Sequence, residues 1–471
     1  MNERSLHARK LLLVASGILL TLCRPAHCQT NAEVNAGIQF NFSSPGARSL
    51  GLGGAFIGLA DDATAAYTNP AGLTQLSKPE VSAEGRRSSY TNQFTDSGHG
   101  LGSPTGNGLD KVPGIVSGTS KSELNDLSFA SFVYPHGRWA LAAYRQELAN
   151  FGASFQTQGA FFSSGLDLSR LFPIDTTLRL RIINVGVSGA VRLNDALSIG
   201  VGLSEYHFDL SSLTSRYAFE SLAPNPDGTF PRGGFFGQPD VRAGNVVNFE
   251  SLNGNDNHLA VNAGLLWKIS SQWSGGLVYR QGPKFNFDTS ATYGPMGKTP
   301  GMEFAANPGS FHVPDAYGAG LAFRPAEAWT ITVDYDRIRY SVLAKNSIDV
   351  FFDHMPMSKP DPAAKSLVAN DANEFHLGVE YVWTHMKWPL ALRLGGWRDP
   401  DHQIRFEGPI IPNTVMPNQS EALYTLFRPG RVEGHVSGGF GLVFSERFQL
   451  DAAYDYSKFV SIASLSGVVR F

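Results

Sequence analysis

Trp329-Thr330-Ile331-Thr332-Val333-Asp334-Tyr335-Asp336 alternates without a break between apolar and polar side chains. Successive side chains of an extended chain leave opposite faces, so this stretch has one greasy face and one wet face. The same polarity returns in Phe375, Leu377, Val379, Tyr381 and Trp383 against Glu374, His376, Gly378 and Glu380. It returns again in Phe448, Leu450, Ala452, Tyr454 and Tyr456 against Gln449, Asp451, Ala453 and Asp455. Period two over about 10 residues suits a strand that crosses a bilayer with lipid on one side and a polar lumen on the other. Strands of soluble sandwiches are shorter, about 5 to 6 residues.

Working outward from these segments, the alternation predicts fourteen strands, an even number as bacterial single-chain barrels have. They fall at about 79–90, 126–135, 138–148, 179–193, 196–209, 257–268, 272–290, 314–324, 328–341, 374–384, 388–399, 430–444, 447–459 and 461–471. Tight connections at 135–138, 193–196, 269–272, 324–327 and 445–447 alternate with long ones at 91–125, 149–178, 210–256, 291–313, 342–373 and 400–429. Short periplasmic turns opposite long extracellular loops are the asymmetry of an outer-membrane barrel. Trp139, Trp267, Trp273, Trp329, Trp383 and Trp388 all stand beside the short turns, where an aromatic girdle meets head groups. The expected fold is therefore all-β, a 14-stranded antiparallel transmembrane β-barrel spanning 79–471.

Composition agrees. The 471 residues are only 17% charged, and beyond the N-terminus no uncharged apolar run reaches the length of a bilayer-spanning helix. A formal charge of -3 with no basic block longer than Arg86-Arg87 argues against nucleic acid as a partner. Residues 1–28 read as a cleaved secretory signal: Arg4, Arg9 and Lys10, an apolar run from Leu11 to Leu22, then Ala26 and Cys28 near a cut. Cys23 and Cys28 both lie in that segment, leaving the mature chain no thiol.

Between the signal and the first strand, Gly46 to Leu73 is written in small residues, with Ala60-Asp61-Asp62-Ala63 and Asn69-Pro70-Ala71. Asp61 or Asp62 is placed to cap a short helix over 63–67, and Asn69 to cap a second turn with Pro70 at its first position. A fourteen-stranded barrel is wide enough to leak unless filled, and 29–78 is the non-strand segment of suitable size. These motifs resemble those of the outer-membrane long-chain fatty-acid transporter family, the FadL and TodX-like channels. The resemblance implies a lumen closed by an N-terminal hatch, extracellular capture of hydrophobic substrates, and sideways exit through a wall opening at a kink in the third strand. It implies an outer-membrane location in a Gram-negative bacterium, with hatch and gating residues Asp61, Asp62, Asn69, Pro70 and Ala71.

Expected partners are a hydrophobic small molecule, outer-membrane lipid, and the barrel-assembly machinery, which the terminal Phe471 would address. Phe151, Phe155, Phe161, Phe162 and Phe172 in one long connection, and Phe219, Phe230, Phe235 and Phe236 in another, suggest exposed apolar patches for capture or else mutual packing of the loops. Phe161, Phe162, Phe235 and Phe236 are the substrate-binding candidates among them. Inward-facing positions include Glu84, Arg86, Arg280, His376, Glu380, Arg393, Glu433, His435, Asp451 and Asp455, as an ion-pair network or, for Arg280 and Arg393, as holders of a substrate carboxylate. No nucleophile elbow, zinc helix, calcium loop or phosphate loop is written here, so neither an enzyme nor a cofactor is expected. A secretion or adhesion component and a general porin stand as alternatives to a hydrophobic-compound channel.

Overall fold

The structure, a computed structural model, describes residues 38, 40, 42–164, 167–217, 235–239, 241, 246–293, 302–346, 366–410 and 419–471. The signal segment lies outside them, as do Phe219 and Phe230. The wall begins with β1 (Glu80–His99), β2 (Gly114–His136), β3 (Trp139–Gln156), β4 (Ile174–Arg192), β5 (Leu197–Tyr217), β6 (Val246–Lys268) and β7 (Trp273–Arg280). It continues with β8 (Ala316–Ala326), β9 (Trp329–Ile338), β10 (Ala372–Trp383), β11 (Leu390–Asp399), β12 (Glu433–Ser445), β13 (Phe448–Tyr456) and β14 (Val460–Arg470). Every neighbouring pair is antiparallel, and Glu80 pairs with both Val133 of β2 and Arg470 of β14. The barrel is thus closed and presents no free edge to lipid, whose interior could not satisfy one.

The alternation read from the sequence sets the faces. Val333, Leu377 and Tyr454 are exposed on the outside, whereas Asp334, Glu380, Asp451 and Asp455 are buried within. All six tryptophans beside the short turns are exposed on the outer surface. No described helix is long and apolar enough to span a membrane.

Several boundaries differ from the sequence reading. Residues 91–99 and 114–125 continue β1 and β2, since cross-strand pairing from Thr91↔Lys121 to Gly98↔Ile115 holds polar strands that lack an apolar face. Likewise β3 runs to Gln156, placing Phe151 and Phe155 in the wall. The strand expected at 272–290 ends at Arg280; the chain then forms a separate hairpin, Lys284–Tyr293 with Met302–His312. A smaller hairpin, Phe161–Ser164 with Asp167–Arg170, joins the wall through His99↔Phe161.

The N-terminal segment forms α1 (Ala47–Gly51), α2 (Ala65–Thr68) and a 3-10 turn, Pro70–Gln75. Its partners are spread around the inner circumference. The amide of Ala47 donates to Ser466 Oγ of β14 (3.1 Å), Ser188 Oγ of β4 to the Ala66 carbonyl (2.7 Å), and Ser274 Oγ of β7 to the Gly58 carbonyl (2.7 Å). Contacts on opposite arcs of a closed wall put the segment across the lumen.

Close approach is possible because the wall is bare where the segment lies. Gly200 pairs with Gly264, Gly276 with Gly320, and Gly378 with Gly395, all on the inward face. A Cβ on any of these six would fall within 3.0 Å of another atom: Ala71 N, Asn69 Oδ1, Ile57 O, Gly58 N, Leu52 O and Gly53 N, in that order. The segment answers with its own small residues; Gly53, at φ +66°, turns the chain against the Gly396 backbone.

Candidate functional site

Asn69 is the hub of the N-terminal segment. Its Oδ1 accepts from the Ala71 amide (3.2 Å), capping the turn that Pro70 begins. Its Nδ2 donates to the carbonyls of Ile57 (3.0 Å) and of Leu265 in β6 (3.1 Å), so one fully buried side chain ties the turn to the rest of the segment and to the wall. Asp62 accepts from the amide and hydroxyl of Thr64 (2.9 and 2.5 Å), organising the chain just ahead of α2. Burial holds the Asp62 carboxyl above its usual range despite Arg48 and those bonds. Across the lumen, one oxygen of Asp334 in β9 accepts from both Phe56 N (2.6 Å) and Ile57 N (2.7 Å).

A chain of charges runs beneath. Asp61 joins Arg48 (2.6 Å) and Arg324 (2.8 Å); Arg48 forks onto Glu380 (3.0 and 2.9 Å); Arg393 joins Glu380 (2.6 Å) and Asp451 (2.7 Å). Burial works against the Arg48 charge, but Asp61 and Glu380 outweigh it and hold the guanidinium well above its ordinary value. Arg393 is thus committed to two carboxylates. Arg280 donates to the carbonyls of Thr68 (2.9 Å) and Phe42 (3.4 Å) and lies over the Tyr67 ring. Both face inward as their parity predicts, and both hold wall and N-terminal segment together. Farther round, Trp397 lies between the rings of His376 and His435, at 5.2 and 3.9 Å, and His376 Nδ1 bonds the Gly53 carbonyl (2.7 Å).

Beyond the helices and the 3-10 turn of the N-terminal segment the interior holds a large apolar cluster. Phe208, Phe285, Phe311, Phe151 and Tyr340 form one buried cluster that Phe40 and Phe42 pack against. The loop rings are packed rather than exposed: Phe161 and Phe162 are buried, and Phe161 meets Phe235 and Phe236 at 5.9 Å each with Arg170 over its face. Of the two expectations packing holds: Phe151 and Phe155 are buried because they face the lumen from β3, and Phe161 and Phe162 because the hairpin that follows β3 packs its rings against the Phe235–Phe236 pair.

Among the described residues the wall is interrupted between β2 and β3. β2 and β3 pair from His136↔Trp139 only as far as Phe129↔Gln146. There β2 carries an extra residue, Ser128, and β3 carries Leu148, each out of register with its other neighbour. Two bulges at one level bend the strands apart. Ser120 Oγ donates to the Ser154 carbonyl (2.5 Å) and closes the gap above. The resulting window, about 20 Å³ or room for about one water, is lined by Arg86 and Tyr90 of β1, Asp126 and Ser128 of β2, and Glu147 and Asn150 of β3. Asn150 donates to Asp126, and Arg181 of β4 reaches Asp126 (2.8 Å) and Glu147 (3.5 Å), so polar side chains cross it. At this level the outside turns from Leu127 to the exposed pair Arg87–Glu123, marking the upper edge of the apolar band.

One arrangement has the connectivity of a hydrolytic relay: His99 Nδ1 meets Asp110 (2.6 Å) and its Nε2 meets Ser163 Oγ (3.0 Å). Gly102 presses directly on that hydroxyl, where even a Cβ would collide. The group ties the β1–β2 loop to the hairpin. Among the described residues no cluster of His, Cys, Asp and Glu is placed to hold a metal ion.

The glycine belt and the positions of the two bulges escaped the reading of the residues, which had a wall opening at the third strand only as what the family resemblance implies. Inward parity of the glycines was a usable signal; the bulges have none, since Glu147-Leu148-Ala149 reads as ordinary strand.

Comparison with known proteins places this geometry. The model of the outer membrane protein transport family (OMPP1/FadL/TodX) matches residues 27–400. The long-chain fatty acid transport protein of Shigella flexneri is 24% identical over 298 residues, which is 61% of this chain and 58% of that relative's length. The crystal structure of a Pseudomonas aeruginosa FadL homologue superposes with a TM-score of 0.57 at 13% identity, covering 92% of this chain and 99% of that one. The toluene transporter TodX of P. putida does so at 0.54 and 12%, with the same coverage.

Proposed function

The chain belongs to the OMPP1/FadL/TodX family of outer membrane transport proteins, and from that premise we propose that it takes up hydrophobic small molecules, long-chain fatty acids or aromatic hydrocarbons, and releases them sideways through the window between β2 and β3. The interruption of the β2–β3 ladder carries this reading. Below it, the N-terminal segment lies against the glycine belt and bars a straight path along the barrel axis. Above it lies the apolar cluster, where a hydrophobic ligand gains by leaving water. A ligand in that cluster has the side of the barrel as its nearest way out. In this reading the packed Phe161, Phe162, Phe235 and Phe236 brace the mouth, Asp61, Asp62 and Asn69-Pro70-Ala71 keep the hatch closed, and Arg280 holds it against the wall.

The test is deletion of Leu148, which removes the bulge and restores unbroken inward alternation from Gln146 to Phe155. Uptake of radiolabelled oleate and of toluene is measured in a strain lacking its own transporter and normalised to heat-modifiable barrel. The deletion is expected to reduce uptake to background with the barrel still assembled. Uptake at the wild-type rate would overturn the sideways route, and absence of uptake by the wild type would overturn the transport reading in favour of a secretion or adhesion role.

A further inference from the structure

On the outer wall, away from the window, parity sorts the charges of β11 to β13 by sign. Asp399, Glu433 and Asp455 stand at inward positions, whereas Arg398 points outward and Arg431 and Lys458 are exposed beside it. The inward acids have their own partners: Asp399 meets His402 (3.2 Å), Glu433 accepts from Ser457 Oγ (2.6 Å) and Asp455 meets His435 (2.7 Å). Asp401, in the loop above, accepts from the Gln403 amide (3.0 Å). Elsewhere on the outer face the cations are matched, Arg87 by Glu123 (2.6 Å) and Arg337 by Asp371 (3.0 Å). Arg398, Arg431 and Lys458 have no such carboxylate among the described residues.

Their depth is fixed by the strands that carry them. Arg398 follows the exposed Trp388 by ten residues, and Lys458 follows the exposed Phe448 by ten; both aromatics stand beside short turns. A tilted strand spends about 9 to 11 residues in the bilayer, so both cations emerge at the head groups of the outer leaflet. Arg431 lies over the Phe459 ring at 4.1 Å and Lys458 Nζ at 5.3 Å from the same ring, which gathers the two charges at one point of the 457–460 turn.

Between Arg398 and this pair the wall is bare. Gly434 is the cross-strand partner of Arg398, and the contact of Glu433 with Ser457 sets it beside the turn. A Cβ on Gly434 would meet nothing within 4 Å, and one on Gly438, the next but one outward position below, only the Arg393 carbonyl at 3.8 Å. Beneath the recess the exposed Leu394, Val436, Tyr454 and Tyr456 offer an apolar bed. A recess rimmed by three unmatched cations above an apolar trough is complementary to a lipid with an anionic head.

We propose that this face is a lipid-binding site: the phosphate of an anionic outer-leaflet lipid sits at Gly434 between Arg398 and the Arg431–Lys458 pair, with an acyl chain running down over Gly438. The site is on the outside of the barrel and stands whatever the lumen carries.

Native mass spectrometry of the purified full chain in non-ionic detergent, with lipid A or its phosphate-free form added, separates the head from the tails. Wild type is expected to hold the phosphorylated form about tenfold or more tightly, each cation beside an anionic surface contributing about fivefold. Joint Arg398→Gln, Arg431→Gln and Lys458→Gln substitution is expected to bring the two forms near equality, and Gly434→Trp to weaken lipid A binding severalfold with every charge in place. Heat-modifiable mobility on gels reports folding of each variant, and the wild-type ratio decides the matter should a variant misfold. Equal binding of both forms by wild type, or an unchanged ratio in the folded triple variant, would overturn the proposal. Undiminished lipid A binding by folded Gly434→Trp would overturn the placement in the recess, and displacement of the lipid by inorganic phosphate would assign the cations to a free anion instead.

Discussion

Arg48 and Glu380 meet in a two-pronged ion pair, Nε to Oε2 at 3.0 Å and Nη2 to Oε1 at 2.9 Å, that joins the N-terminal segment to β10. Glu380 also holds Arg393, so Glu380→Gln leaves two guanidinia short of charge. Removing one member of a buried pair costs about 3 to 5 kcal/mol, and the slight exposure of Arg48 puts this case at the lower end. Planar-bilayer recordings are expected to show flickering ion conductance for Glu380→Gln and quiet traces for wild type, with heat-modifiable mobility unchanged. Equally quiet traces would refute the clamp.

Gly395→Ala places a methyl group against the Gly53 amide, where backbone blocks it, whereas Gly467→Ala adds one facing outward with no atom nearer than 4.0 Å. The first is expected to destabilise docking of the segment by about 1 to 3 kcal/mol, the usual cost of overpacking. Limited proteolysis should cut the segment faster in Gly395→Ala and at the wild-type rate in Gly467→Ala. Identical rates in both would show that the belt tolerates side chains.

Asn69→Ala removes the cap on Ala71 and the bonds to Ile57 and Leu265 together. Loss of the cap alone costs about 0.5 to 2 kcal/mol. Uptake per folded barrel is expected to change while the amount of barrel does not. Less protein in the membrane with unchanged uptake per molecule would assign the motif to folding instead.

His402 gives the extracellular side a pH dependence. Burial disfavours its charge, but Asp399 (3.2 Å) and the Pro400 carbonyl (3.0 Å) prevail and hold it up to about 9, with the ring stacked 4.1 Å from Tyr340. Because the folded value exceeds the unfolded one of about 6.5, the stabilisation is complete below that and is lost as pH rises through about 9. Hydrogen exchange of 399–406 should accelerate between pH 7 and 10 beyond the intrinsic rate, and His402→Gln should flatten that excess. An excess that persists in the variant would rule out His402 as its source.

The wall was legible because one physical rule, opposite solvents on opposite faces, acts on every membrane-crossing residue. Asp334 and Tyr335 declare their sides without reference to anything distant. That rule lapses above the membrane, so Thr91 to His99 looked like loop although hydrogen bonds to β2 hold it as strand. It is silent on partners too. The inward direction of Arg280 and Arg393 followed from parity, yet their commitment to Thr68 and to Glu380 depends on residues 212 and 13 positions away respectively. Leu148 is the extreme case: what makes it a bulge is the register of β4, not anything in its own neighbourhood.

The way the interior is assembled also sets an order of events in time. The bonds from Ala47 to Ser466 and from Phe56 to Asp334 span 419 and 278 residues, so an early-made part of the chain has partners far along it, one of them among the last residues. Contacts so distant in sequence form late, after the entropy of closing large loops has been met. An empty, conducting cylinder should therefore precede the finished molecule on the folding route, and the cell must either hold the leading segment inside the growing wall or tolerate a brief leak with each copy it inserts.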